Sequence, residues 1–300
     1  MMRVWILYRF LIDHSIKSRR SVLLCCLILF PSIFHFFPSD SFAKTINYRA
    51  AIVMDTSTEE ILYANNPNRQ LPPASTTKLM TAIVVLESKN LSDLVTISRN
   101  ASHTPPSKVG FKEGDKVTIE GLLYAALLKS ANDAAVALAE SVSGSEESFV
   151  DLMNNKATAI GATNTKFINA TGLPGPRQHI TAVDLSRIMR YALTYSKLKE
   201  IIGSPTAQVS IEGGKTLSLK NTDKLLWSDG EIVGGKTGYT WSARHCFVCA
   251  AEHKTKKIIV AVLGSPSRNN LWRETEKLIA KGFEKEVHRK VDKRRESRKV

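Results

Sequence analysis

The sequence predicts a fold of the α/β class, more narrowly α+β: a sheet assembled from both chain ends, carrying a helical subdomain as a long insertion. Three observations carry this. Strand-like runs occur near residue 50 and return after residue 201, and helical periodicity fills the stretch between them. An apolar content of 43% over 300 residues supplies one compact core or two closely packed ones. No internal repeat interrupts this order, and low-complexity segments are confined to the leader and the tail.

Residues 1–43 read as a leader. A basic cluster at Lys17, Arg19 and Arg20 precedes an apolar run over 22–30 that continues past Pro31 to Phe37, and Ser41-Phe42-Ala43 fits an export cleavage site. The alternative is an uncleaved membrane anchor, although two prolines and His35 interrupt the run. Cys25 and Cys26 lack the small residues expected before a lipidated cysteine. Residues 1–43 hold five Lys/Arg and two Asp/Glu, so their removal takes the formal charge from +14 to +11.

The elements follow in order. Residues 48–55 read as a strand, 56–60 as a turn and 61–64 as a second strand, which together make a hairpin. An extended Leu71-Pro72-Pro73-Ala74 lead-in then opens a helix with apolar residues at Leu79, Ile83, Val84 and Leu86. Residues 118–142 predict two helices broken near Ser130; further helices are expected over 146–160 and 184–193, with Thr181 or Asp184 near the second start. Strands return over 208–211, 216–219, 246–251 and 258–262, and 269–286 reads as a closing helix. The tail over 281–300 holds nine Lys/Arg against four Asp/Glu. It is either a solvated tail or a weak contact for anionic polymer or lipid head groups. Nucleic acid does not suit an exported chain.

Three short motifs carry chemistry. Ser75-Thr76-Thr77-Lys78 sets a hydroxyl and an amine one helical turn apart, so that Lys78 Nζ can reach Ser75 Oγ and take its proton. Ser130-Ala131-Asn132 falls at the helix break, and Lys236-Thr237-Gly238 follows Gly234-Gly235 and precedes a strand. Singly each is weak: Ser196 and Lys199 repeat the first spacing, and Ser88-Lys89-Asn90, Ser98-Arg99-Asn100 and Ser267-Arg268-Asn269 repeat the second. A lone copy of any of them is more often a helix start, a cap or a hairpin. Order and context raise their weight.

In that order the motifs resemble those of penicillin-binding proteins and serine β-lactamases. Longer strings narrow the resemblance to the low-molecular-mass D-alanyl-D-alanine carboxypeptidases of peptidase family S11: Pro73-Ala74-Ser75-Thr76-Thr77-Lys78-Leu79-Met80, Leu128-Lys129-Ser130-Ala131-Asn132-Asp133-Ala134-Ala135, Thr165-Lys166-Phe167-Ile168-Asn169-Ala170-Thr171-Gly172-Leu173 and Gly235-Lys236-Thr237-Gly238-Tyr239-Thr240. The resemblance covers much of residues 46–265. It implies a DD-peptidase/β-lactamase-like fold, an antiparallel sheet flanked by helices plus an all-helical subdomain, with a catalytic domain over 44–268, the closing helix over 269–286 and a basic tail over 287–300.

The resemblance also implies roles. Ser75 is expected as nucleophile, Lys78 as general base and Ser130 as proton relay. Asn132 is expected to orient Lys78 and the substrate backbone, Lys236 and Thr237 to hold the substrate carboxylate, and Gly238 to leave the strand edge clear. The backbone N–H of Tyr239 is expected to donate to the oxyanion beside that of Ser75. The implied substrate is a peptidoglycan stem peptide ending in D-Ala-D-Ala, with β-lactams as covalent inhibitors and no cofactor. An endopeptidase cutting cross-links and a non-catalytic murein-binding module are the alternatives. One departure stands out: after Thr240 the family commonly continues with a small residue, glycine and an aromatic, whereas this chain has Ala243-Arg244-His245, near the entrance of the same strand.

Other chemistries fit less well. Cys246 and Cys249 lie three residues apart on a strand, roughly 10 Å at about 3.3 Å per residue and on opposite faces, which suits neither a disulfide nor, with His245 and His253, a tetrahedral metal cage. No Gly-x-Ser-x-Gly elbow exists for a Ser-His-Asp hydrolase, and His179 reads as a packing or capping residue. A class A β-lactamase also needs a Glu-x-x-Leu-Asn loop, which is absent from 133 to 235.

Overall fold

The computed structural model describes residues 46–296 apart from Asp229; the expected leader and the last four residues of the tail lie outside the described residues. Strands β1 (Ala50–Asp55) and β2 (Ile61–Asn65) form the expected hairpin. The Asp55 carboxylate closes its turn by accepting from the Ser57 and Thr58 amides at 2.9 and 3.1 Å. A 3-10 turn over Ala74–Thr77 leads into α1 (Lys78–Ser88). Strand β3 (Leu94–Thr96), helix α2 (Arg99–His103) and strand β4 (Lys116–Thr118) follow, three elements too short for periodicity to mark.

The helical insertion then runs through α3 (Ile119–Leu128), α4 (Asn132–Ser143), α5 (Glu146–Ala159), α6 (Ala182–Ala192) and α7 (Ser196–Gly203). Hydroxyl caps set three of the starts. Thr118 accepts from Gly121 N–H, Ser145 from Ser148 N–H and Thr181 from Asp184 N–H, each satisfying an amide that the first turn leaves without a helical partner. The chain closes with the hairpin β5 (Thr206–Ser210) and β6 (Thr216–Lys220), then β7 (Ile232–Thr240), β8 (Arg244–His253), β9 (Lys256–Ser265) and α8 (Arg268–Glu296).

Two expectations need correction. Lys236-Thr237-Gly238 lies inside β7 rather than ahead of a strand, because Gly235 and Lys236 already pair with Cys249 and Val248 of β8. Helix α8 continues to Glu296 rather than stopping at 286; residues 287–296 contain neither Gly nor Pro and are rich in Lys and Arg, which favour helix.

The main sheet has five antiparallel strands in the order β2-β1-β9-β8-β7, so the first strand of the fold is paired on both sides, by its hairpin partner and by the last strand. Period-two alternation gives each buried strand two apolar faces. Ile52, Val248, Ala250 and Ala261 face a large core shared with α1, α3, α4 and α6, whereas Val53, Phe247, Val260 and Val262 face a second core closed by Leu271, Trp272, Leu278 and Ile279 of α8. Phe247 and Trp272 meet edge to face at 5.0 Å between centroids. The same alternation puts the buried free thiols of Cys246 and Cys249 in different cores, as their spacing required.

Candidate active site

The Ser75–Lys78 pair straddles the join between the 3-10 turn and α1. Pro73 is already in the helical region, with φ −74° and ψ −26°, and Ala74 takes a left-handed φ of +49° that turns the chain into the helix. Lys78 Nζ, fully buried, lies 3.1 Å from Ser75 Oγ. It lies 2.7 Å from two further oxygens, Asn132 Oδ1 and the Thr171 carbonyl. Burial first, and the charge of Lys236 second, hold the Lys78 amine well below the usual lysine range. A neutral amine has two N–H groups and one lone pair. Thr171 O can only accept, and Asn132 Oδ1 is fixed as an acceptor because its Nδ2 donates to Pro105 O at 2.9 Å. In the neutral form both N–H groups of Lys78 are therefore taken by carbonyls, and its lone pair is the group left for the Ser75 hydroxyl.

Asn132 is the first residue of α4. The neighbouring Asp133 carboxylate accepts from the amides of Gly110 and Phe111 at 2.9 and 3.2 Å, tying the 105–111 loop down beside it. Ser130 sits in the break between α3 and α4 with a left-handed φ of +62°. Its Oγ accepts from Lys236 Nζ at 2.9 Å, and Nζ also donates to Thr237 O at 2.9 Å. Lys236 is 1% exposed; burial pulls its ammonium down to about 7 against the opposing charge of Asp223. Thr237 Oγ1 shares a 2.7 Å hydrogen bond with Thr222 Oγ1. Gly238 is a point of close approach: a Cβ there would sit 3.0 Å from Ser75 N and crowd the turn that carries the serine.

Ser75, Ser130, Asn132, Thr237, Gly238 and Tyr239 thus line one cleft of about 470 Å³. Three motifs separated by up to 161 residues in sequence converge there, between the sheet's β7 edge and the helical insertion. Other expected features fall elsewhere. The Ser196–Lys199 pair is on α7, and His179 neither caps nor enters the cleft: its backbone pairs with Lys166 while its ring bonds Arg177 O at 2.8 Å. Thr181 is the cap of α6. His245, one of the departing residues, does line the cleft, stacked on the Tyr239 ring at 4.5 Å between centroids.

Three contributors escaped sequence reading. The Thr171 carbonyl is a backbone group whose position depends on the fold. Gly172, at φ +83°, lets the 169–173 loop pass so close that a Cβ would lie 1.8 Å from Ala74 O. Arg268, the first residue of α8, brings a second cation to the cleft lining; a basic residue just past the last strand was the only available signal.

A family model described as D-alanyl-D-alanine carboxypeptidase, Peptidase S11, matches residues 38–267. The chain belongs to peptidase family S11. This S11 chain is 31% identical over 240 residues to D-alanyl-D-alanine carboxypeptidase DacF of Bacillus subtilis, covering 78% of this chain and 62% of that protein. It therefore spans about three fifths of the length of that curated relative. It is 33% identical to a D-alanyl-D-alanine endopeptidase of Pseudomonas aeruginosa, covering 77% of this chain and 78% of that one. Among solved structures it superposes on a D-alanyl-D-alanine carboxypeptidase from Mycobacterium tuberculosis with a TM-score of 0.76 and 32% identity, covering 80% of this S11 chain and 92% of the other. The fold is accordingly that of the DD-peptidases and penicillin-binding proteins.

Proposed function

We propose that this S11 chain is a serine D-Ala-D-Ala carboxypeptidase that removes the terminal D-alanine from peptidoglycan stem peptides outside the cytoplasmic membrane. The observation that carries the reading is the geometry of Lys78, whose lone pair, in the neutral form, is left for Ser75 Oγ at 3.1 Å. Ser75 Oγ attacks the carbonyl of the penultimate D-alanine as its proton passes to Lys78. The oxyanion is taken up by the backbone N–H groups of Ser75 and Tyr239. Collapse breaks the peptide bond, and the leaving amine receives a proton through the Ser130 hydroxyl. Lys78 then deprotonates the incoming water, whose attack on the ester releases the shortened peptide and restores Ser75. Lys236, Thr237 and Arg268 hold the terminal carboxylate, an anion that an exopeptidase must read and that two cations and a hydroxyl suit.

The chain has no Glu-x-x-Leu-Asn loop between its second and third motifs to activate a deacylating water, so penicillin is expected to remain as a long-lived acyl-enzyme. Incubation with a D-Ala-D-Ala-terminated pentapeptide tests the assignment. Release of D-alanine by the wild type, together with loss of both release and fluorescent-penicillin labelling in Ser75→Ala, supports it; retained labelling in Ser75→Ala would exclude Ser75 as nucleophile. The identity to a relative named as an endopeptidase favours one second reading, for which D-alanyl cross-linked dimers and not pentapeptides would be cut. A murein-binding module would cut neither. No helix among the described residues is long and apolar enough to cross a membrane, and the basic tail is left as a weak contact for an anionic surface.

A further inference from the structure

Segment 221–225 is a strut between β6 and the 3-10 turn over Leu225–Trp227, and its polar atoms are almost all spoken for. Asn221 Nδ2 donates to the Ile202 and Ser204 carbonyls at the end of α7, at 3.2 and 3.0 Å, and Asn221 Oδ1 accepts from Asp223 N–H at 2.9 Å. The Thr222 amide donates to Leu128 O at the end of α3, and its hydroxyl meets that of Thr237. Asp223 Oδ1 accepts from Leu225 N–H at 2.9 Å. Asp223 Oδ2 is the exception: it is the one buried carboxylate oxygen without a hydrogen-bond partner of good geometry among the described residues, with the Leu226 amide the further donor acting on the carboxylate.

A buried carboxylate oxygen left open is costly, and a fixed one near an active site calls for a reason. The strut cannot swing the carboxylate away, because Asn221, Thr222 and Leu225 anchor it on both sides. The 2.7 Å bond between the Thr222 and Thr237 hydroxyls lays the strut alongside β7, and Lys236, the residue before Thr237, is the charged group whose field acts on the carboxylate; the backbone amides of Leu225 and Leu226 also donate to it. Lys236 in turn feels Asp223 on one side and lowers Lys78 on the other. An ammonium has three N–H groups, and those of Lys236 have two close acceptors, Ser130 Oγ and Thr237 O, which leaves one N–H for a substrate carboxylate.

We propose that Asp223 is a positioning residue for substrate recognition, the buried counter-charge that keeps Lys236 an ammonium able to hold the carboxylate of the substrate. The role rests on the carboxypeptidase reading for its substrate and on the strut alone for its electrostatics. Burial drives both groups toward neutrality, Asp223 up to about 7 and Lys236 down to about 7, and each restrains the other. Without the carboxylate, Lys236 is expected to lose its proton about one pH unit lower, the size of effect that a close opposite charge exerts. At pH 7 its ammonium fraction would then fall from about one half to about one eleventh, roughly fivefold.

Two measurements on the full chain test this. In protein carrying ¹³C-labelled lysine, the Lys236 side-chain signal, identified by its loss in Lys236→Arg, is followed against pH in wild type and Asp223→Asn. A midpoint lowered by about one unit supports the proposal; an unchanged midpoint in folded Asp223→Asn overturns it. If that variant does not fold, Asp223→Ser supplies the uncharged comparison. In parallel, KM for the pentapeptide at pH 7 is expected to rise about fivefold in the variant, more than kcat falls, while KM for the same peptide with an amidated C-terminus stays level. An equal rise for acid and amide would mark a merely structural role and overturn it. If wild type released no D-alanine, the carboxypeptidase reading would fail while the lysine titration would still decide the role of Asp223.

Discussion

Lys78 is held by two carbonyls that commit its N–H groups, so the quantity that matters at this residue is its protonation state. Arg at this position keeps its charge at any accessible pH. Lys78→Arg is therefore expected to lower the rate of penicillin acylation at least ~10³-fold, toward the upper range for losing a positioned base, while leaving the fold intact by circular dichroism. Acylation close to the wild-type rate would show that Lys78 is not the base. The buried lysines also tilt stability. Lys236 releases its proton near 7 when folded and near 10.4 when unfolded, so between those values the unfolded chain binds more protons and stability rises with pH. Lys78 is lowered in the same direction. The urea midpoint of wild type is expected to rise from pH 7.5 to 9 and to rise less in Lys236→Met, each such lysine contributing at most about 1.4 kcal/mol per pH unit; parallel responses would contradict the depressed lysine. At this scale the sequence named Ser75, Lys78, Ser130, Asn132 and Lys236 for their chemistry, and the fold brings them together. It concealed Thr171, because only the fold decides which carbonyl meets the amine, and Asp223, because an aspartate in a turn-like run reads as solvent-exposed.

Between the residue and the fold, two backbone segments are pressed together: the 3-10 turn that carries Ser75 and the 169–173 loop that offers Thr171 O. Gly172 permits the approach, and the loop is wired from within, Asn169 Oδ1 accepting from Gly172 N–H at 2.7 Å and Thr81 Oγ1 donating to Ala170 O at 2.7 Å. Gly172→Ala must displace one segment or the other and also strains a left-handed backbone. It is expected to cost at least about a hundredfold in D-alanine release, the effect of moving reacting groups by about 1 Å, and to lower the thermal midpoint. Wild-type turnover would mean that the segments are not held as close as described. The long helices were readable from apolar spacing; of their hydroxyl caps only Thr181, beside Asp184, stood out as a start signal, whereas Ser145 did not, since a lone serine in a polar run signals little. The ladder of β3 with β4 was not, since three-residue strands give alternation no room, and α7 was hidden by its short length. The start of β8 at Arg244 was missed because a residue with φ +60° reads as a loop.

For the molecule as a whole, the second core depends on α8. Leu271, Trp272, Leu278 and Ile279 are 2–6% exposed and cover Val53, Phe247, Val260 and Val262. At about 1.5–3 kcal/mol for each such side chain, the four together rival the 5–15 kcal/mol of a whole domain. Deletion of residues 268–300 is accordingly expected to give an unfolded or insoluble product, judged by yield and by loss of cooperative melting; a soluble, cooperatively melting product would show that the sheet stands alone. That the sheet would draw on both chain ends was legible, because the apolar strand runs sit only there; which strand lies beside which was not, since register is a contact property. The pairing of β1 with β9 has a temporal consequence as well. Ile52 meets Ala261, more than two hundred residues downstream, so β1 is synthesised with one edge open and stays open until nearly the whole chain exists. Folding that waits on so distant a partner is slow, and the half-made sheet offers an adhesive edge in the meantime. A chain that completes its sheet only at its last strand is also easily kept unfolded until its synthesis ends.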